Sequence, residues 1–257
     1  MRHVFVAPDC FGADPIVLTG AAHHHLVHVL RAKPGETLVA LDGAGRACYA
    51  EICAVGRSEI TLRHGLPADL PAEPPVVVVV CQAIGRGDRF EDVLQHGTEA
   101  GASGFVPLLS ERGIVRIDPR DTEGKLARWS RIVCGAAEQS RRSRLPSVSA
   151  PVTVSQAAGR VDCYALALVA ALGARDLATV LPLPGTPQTM PASVLLVVGP
   201  EGGLTDGEVE LLRAAGAIPA SLGPHTLRTE TAAVVAISRI LHHASMLDAV
   251  LGAEQRA

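Results

Sequence analysis

The apolar run Leu195-Leu196-Val197-Val198 stops at Gly199-Pro200-Glu201-Gly202-Gly203, and Leu204-Thr205-Asp206-Gly207-Glu208 follows at once. A run of this length is too short for a helix, so it reads as a buried strand closed by a tight loop. Thr205, with Glu208 three residues on, forms a capping box and marks the start of a helix. Gly199, Gly202 and Gly203 lack Cβ atoms, which lets a ligand come close to the backbone. They stand at the carboxyl end of a strand, where open α/β sheets bind their ligands. A second stretch, Ala220 to Thr231, repeats the design: a short strand, Gly223-Pro224, then a long apolar helix from Ala232 to about Leu247. The two loops either line one pocket or are two ordinary strand-to-helix turns, and local sequence leaves both open.

The rest of the chain divides at Leu66-Pro67-Ala68-Asp69-Leu70-Pro71-Ala72-Glu73-Pro74-Pro75. Proline removes a backbone donor and fixes φ, so the cluster at 71–75 excludes a regular element and predicts a linker between domains 1–72 and 73–257. Before it, Val4–Val6, Thr37–Leu41, Ala47–Ile52 and Glu59–Leu62 are strand candidates, with one helical stretch from Gly20 to Arg31. This suggests a small β-barrel. After it, elements alternate: strands at 76–83, 105–109 and 164–170, helices at 88–101 and 122 to about 141, then the two loops described above. Alternation predicts a parallel sheet flanked by helices, an α/β domain. Leu172 to Pro191, rich in proline, glycine and threonine, reads as a surface loop.

Charge and composition narrow the function classes. Hydrophobic residues make up 48% and charged residues 19%, a globular balance, while aromatics at 3% are too few for a base-stacking RNA platform. The net charge of −3 argues against a uniformly basic nucleic-acid binder. Arginines nevertheless concentrate between Arg112 and Arg144, enough for a local phosphate-binding face. No apolar run reaches membrane-spanning length. The opening Met1–Asp9 is too soon interrupted to be a signal peptide. Six cysteines without a CxxC pair point to reduced, buried thiols in a cytoplasmic protein. His24 and His28 lie one helical turn apart, but no carboxylate or cysteine completes a ligand set, so no metal site is expected. Gly85-Arg86-Gly87 lacks the third glycine of a dinucleotide fingerprint, Phe90 standing there instead.

An ordered series of segments carries a family resemblance. It comprises His25-Leu26-Val27-His28-Val29-Leu30-Arg31, Gly87-Asp88-Arg89-Phe90-Glu91 with Gln95 and Thr98–Gly101, Pro107–Arg112, Trp129 with Glu138-Gln139, Arg142–Pro146, Gly199–Gly203, and Leu222–Pro224 with Leu227–Ala232. In this order the chain resembles the 16S ribosomal RNA uridine-N3 methyltransferases of the SPOUT class. The resemblance implies a PUA-like β-barrel RNA-binding domain at 1–72 and a trefoil-knotted α/β methyltransferase domain at 73–257. It also implies S-adenosylmethionine as cofactor, 16S rRNA within the small ribosomal subunit as substrate, and a homodimer. His96 and His225 depart from the lysine and arginine usual in the family, and histidine is largely neutral near pH 7.

S-adenosylmethionine needs an apolar slot for adenine and backbone groups for its edge and ribose. Leu108, Gly199, Pro200, Glu201, Gly202, Leu222, Gly223, Leu227 and Thr229 are the expected cofactor-binding residues. Methylation at uridine N3 requires loss of the N3 proton, which spreads charge onto O2 and O4 and calls for a fixed donor. Arg228, at the entrance of the last helix, is the candidate donor, and Glu230 is the candidate base or a residue stabilised by the helix dipole. His25, Arg31, Arg112, Arg116, Arg142 and Arg144 are the expected RNA contacts, the alternative being ion pairs with Glu111 or Glu138. Two further readings stay open: a methyltransferase acting on tRNA or a ribose 2′-hydroxyl, and a non-catalytic RNA-binding assembly factor.

Overall fold

The computed structural model describes residues 1–113, 115, 117–182 and 189–254. They form two compact units, one of Met1–Glu73 with Cys134–Leu145, the other of Pro74–Val133 with Pro146–Ala257.

The first unit is a five-stranded curled sheet, a half-barrel, in the order β1-β3-β4-β5-β2. Its strands are β1 (His3–Phe5), β2 (Ile16–Thr19), β3 (Thr37–Leu41), β4 (Ala47–Val55) and β5 (Glu59–Pro67), with helix α1 (Gly20–His24) running into a π-helical turn at His25–Val29. β1 and β3 are parallel, and the other pairs are antiparallel. Two register shifts between β4 and β5 bend the sheet, because each bulge adds local twist. Val4, Ile16, Leu38, Ile52, Ile60 and Leu62 fill the concave side. β2 was not among the expected strands. Its four residues follow Asp14-Pro15 and pair only with β5, so nothing local distinguishes them from a loop.

The second unit is a parallel sheet in the order β12-β10-β11-β6-β7-β8, with β9 also on β7. In chain order the elements are β6 (Val77–Ala83), α2 (Arg89–Glu99), β7 (Gly104–Leu109), α3 (Thr122–Gln139), β8 (Ser147–Val148), β9 (Val152–Thr153), α4 (Val154–Ala158), β10 (Leu166–Ala170), α5 (Leu177–Val180), β11 (Ser193–Val198), α6 (Asp206–Ala214), β12 (Ile218–Ala220) and α7 (Thr229–Glu254). Successive residues of β6 and β11 serve opposite faces. Val78, Val80, Val194 and Leu196 pack with Phe90 and Leu94 of α2 and with Ala236, Ile237 and Ile240 of α7. Cys81, Ala83, Leu195 and Val197 pack with Val154 and Ala157 of α4 and Leu212 of α6. A sheet covered on both sides needs both parities apolar, which is why these strands read as unbroken runs.

Two expectations are corrected. The segment 172–191 is not simply a surface loop. Leu177 and Leu181 are buried in the core, Asp176 caps α5, and its carboxylate pairs with Arg239 of α7 at 2.5 Å. Residues 183–188 of that segment lie outside the described residues. The cysteines are free, but only Cys48 and Cys81 are buried, while Cys53 and Cys163 are exposed. Helix α3 ends without the usual glycine. Arg141 takes the left-handed conformation at φ 60°, Arg142 N–H bonds the Ala137 carbonyl, and Arg141 N–H bonds that of Glu138.

Candidate active site

The loops after β10, β11 and β12 meet at the carboxyl edge of the sheet around a cavity of about 1360 Å³. The loop after β11 needs its first glycine. A Cβ at Gly199 would stand 2.8 Å from the Leu204 nitrogen, so the chain can double back on itself only there without a side chain. Gly203, at φ 69°, closes a turn by donating its N–H to the Pro200 carbonyl. Thr205 and Glu208 then start α6 as a complete capping box.

A single side chain ties the second loop to the first. The Thr229 hydroxyl, at the start of α7, donates to the Gly199 carbonyl at 2.6 Å and accepts from Gln82 Nε2 at 2.8 Å. Gln82, the residue before the last of β6, is fully buried, so the anchor reaches the middle of the sheet. The third loop joins through the backbone. Ser221 N–H bonds the Arg175 carbonyl, and Leu177 N–H bonds that of Ser221.

The cavity suits a nucleoside-sized ligand. Ligand pockets are typically about 300–1,000 Å³ and apolar with a few placed polar groups, so this one has room to spare. Leu172, Val198, Ile218, Leu222 and Leu227 supply apolar wall, and a Cβ at Gly203 or Gly223 would meet nothing within 4 Å, leaving backbone approachable there. Gly199, Pro200, Glu201, Gly202, Gly223, Thr229 and Arg228 line it as well. Arg228 is exposed, as is His225 beside it on the wall.

Glu201 is held away from free rotation. Its Oε1 accepts from Arg89 Nη1 at 2.6 Å and from the Arg86 N–H at 3.4 Å. Burial pushes its carboxyl up, but the N–H groups of Glu201 and Arg86 and the Arg89 guanidinium outweigh that and hold it below the usual carboxylate range. Arg89, Gln82 and Glu208 were missed as site residues. Gln82 did leave a signal, as the polar residue near the end of an otherwise apolar strand.

Other expected residues lie elsewhere. Leu108 is corrected: it is buried in the core with Val152 and Val197 rather than on the cavity wall. Inward-facing strand positions fill the interlayer core before they reach the strand end. Glu230 is corrected too. It is not among the residues that line the cavity, and its Oε2 is buried without a hydrogen-bond partner among the described residues. Arg142 is not available to phosphate: its side chain is 9% exposed and grips Glu73 through Nη2 at 2.7 Å and Nε at 3.1 Å. The carboxylate it grips is that of Glu73, where Glu111 or Glu138 was the expected alternative. Burial raises the Glu73 carboxyl, but Arg142 and the Arg144 and Ser143 N–H groups more than offset it, leaving the group below its ordinary range.

Arg112 lines the cavity with its Nη1 on the Gly202 carbonyl at 2.9 Å and the Leu204 carbonyl at 3.3 Å. Arg116 lies outside the described residues. In the first unit, Arg31 and Arg144 are exposed, and Arg31 has φ 51°. His25 Nε2 stands 3.5 Å from Glu138 Oε2. Burial pushes the Glu138 carboxyl up, against the pull of the Phe5 N–H and of His25. Among the described residues, no cluster of three or more His, Cys, Asp or Glu is placed to hold a metal, and no helix is long and apolar enough to cross a membrane.

Comparison with known proteins decides the family. Residues 72–241 match the RNA methyltransferase domain, and residues 18–63 match the RNA methyltransferase PUA domain. Ribosomal RNA small subunit methyltransferase E of Synechocystis is 37% identical over 91% of this chain and 75% of its own length. That of Bacillus subtilis is 31% identical over 91% and 93%. The chain belongs to the ribosomal RNA small subunit methyltransferase E family. Its fold is that of the SPOUT methyltransferases, a PUA-like half-barrel with a parallel α/β domain. A crystal structure of the Neisseria gonorrhoeae family member bound to S-adenosylmethionine superimposes with a TM-score of 0.81 at 29% identity, covering 93% of this chain and 96% of that one. A Legionella pneumophila protein solved with the same cofactor gives 0.84 at 30% identity, covering 93% and 96%.

Proposed function

We propose that this chain uses S-adenosylmethionine to methylate N3 of a uridine in 16S rRNA. Membership of the family supports the reaction class, and the observation that carries the reading is the cavity that Thr229 creates by tying the Gly199 and Gly223 loops together, with Arg228 on its wall. Gly199–Gly203, Leu222, Gly223 and Leu227 would hold the cofactor, which when bound supplies an electrophilic methyl group. The acceptor N3 has no free lone pair until its proton leaves, and with Glu230 off the cavity wall that proton goes to solvent water. Arg228, as a charged donor on the wall, stabilises the negative charge that then develops on the uracil oxygens. A base buried in an RNA stack has to leave it to reach a recessed site, so shape and phosphate contacts dominate recognition. His25, Arg31 and Arg144 are the exposed or half-exposed groups of the first unit suited to those contacts.

The same reading makes the protein a cytoplasmic homodimer that acts on the small ribosomal subunit. Half-buried Val234, Val235 and Leu241 on α7 supply an apolar surface for a second copy. The test is transfer of labelled methyl to naked 16S rRNA and to small subunits in parallel, followed by mass analysis of the nucleosides. Methylated uracil base is the expected product. Methyl on a ribose or in tRNA overturns the substrate, and Arg228→Ala with full activity and normal cofactor binding overturns the donor.

A further inference from the structure

Arg112 follows β7, yet its guanidinium is spent on the loop after β11. Nη1 donates to the carbonyls of Gly202 and Leu204, and the aliphatic stem lies 3.7 Å from where a Gly202 Cβ would be. A second tie runs the other way between the same two segments. Glu208, 6% exposed, accepts the Glu111 N–H at 2.7 Å through Oε1 and the Thr205 N–H at 2.8 Å through Oε2. The carboxyl-terminal half of the glycine-rich loop and the helix start that follows it are therefore both tied to residues adjacent in sequence, Arg112 and Glu111, while Thr229 holds the loop's first residue, Gly199. Gly202 and Gly203 have no side chains with which to hold themselves, so their backbone would otherwise sample many conformations.

We propose that Arg112 is a positioning residue for the cofactor, acting with Glu208, and not an RNA phosphate contact. This deepens the function proposed above and rests on it for the identity of the ligand. By occupying the Gly202 and Leu204 carbonyls, Arg112 fixes which backbone groups of the loop stay available to the cavity. Binding then no longer carries the entropic cost of ordering the loop.

Arg112→Lys separates the two roles. Lysine keeps the charge a phosphate contact needs, but its ammonium sits one bond short of Nη1. The expected result is S-adenosylmethionine affinity weaker by about 10-fold in calorimetry, the size of a lost charged hydrogen bond. The slope of RNA affinity against salt stays at the wild-type value, and kcat at saturating cofactor recovers to within about 2-fold while the cofactor KM rises. Glu208→Gln, which turns one acceptor into a donor facing an N–H, has the same effect in the same direction. Faster amide exchange of Gly202, Gly203 and Leu204 in ligand-free Arg112→Lys reads the tie itself, so it holds even for a protein that fails to bind the cofactor, a result that would sink the proposed function alone. Unchanged cofactor affinity and unchanged exchange in Arg112→Lys overturn the positioning role. So does an Arg112→Ala variant whose only defect is a salt slope lower by about one.

Discussion

Thr229→Val replaces a buried hydroxyl by a methyl of the same shape, at the point where two loops and the central strand meet. The hydroxyl serves two partners, the Gly199 carbonyl at 2.6 Å and Gln82 Nε2 at 2.8 Å. Leaving the carbonyl unpaired costs about 1–3 kcal/mol, and Gln82 loses one of two bonds, keeping that to the Ala83 carbonyl, so about 2–4 kcal/mol is expected in all. Thr229→Ser keeps the hydroxyl and removes one methyl, about 0.8 kcal/mol. The single tryptophan makes the assay specific: Trp129 is 5% exposed, packs on Phe90, and reports the second unit in urea unfolding. At that size each kcal/mol lowers Tm by about 2–4 °C, so the valine variant should melt roughly 4–16 °C lower. Cofactor affinity should fall with it, since Gly199 is no longer anchored. The reasoning is refuted if valine matches the wild type, or if serine costs as much as valine.

Burial raises the Glu138 carboxyl, so its contribution to stability is fully present below the unfolded value near 4.5 and is lost as pH rises through the raised folded value. Glu138→Gln, which keeps an acceptor for Phe5 N–H, should therefore raise Tm at pH 8, with the gain vanishing near pH 4. Glu73 has the opposite sign: its depressed folded value gives stability above about 4.5 that drains away as pH falls through that value. Arg142→Ala takes the cation from the Glu73 carboxylate and leaves it only the Ser143 and Arg144 donors, which should cost about 3 kcal/mol at pH 7, with a flatter acid limb in urea midpoints taken by circular dichroism. Burial pushes the Cys81 thiol up to about 12, as burial and Glu138 do for Cys134. A thiol reagent at pH 8 should label exposed Cys53 and Cys163 quickly and reach Cys81 only on unfolding.

The local pattern alone determined the elements around the site. Val76 to Ala83 reads as a strand because β-branched side chains on both parities suit a sheet covered on both faces, and Thr205 with Glu208 starts a helix because their reciprocal bonds span only three residues. The two glycine-bearing bends are legible for the same reason, since the steric need at Gly199 is met by the residues just beyond it. Which charged or apolar side chain faces which partner was decided by tertiary structure. Arg112 meets Gly202, Arg142 meets Glu73, Gln82 meets Thr229, and Leu108 turns into the core, across separations of tens of residues or more. Neither residue type nor spacing carries that information. An arginine has the same charge and reach whether it ends on a phosphate, a carboxylate or two carbonyls, and only the assembled sheet sets which of them lies within hydrogen-bonding distance.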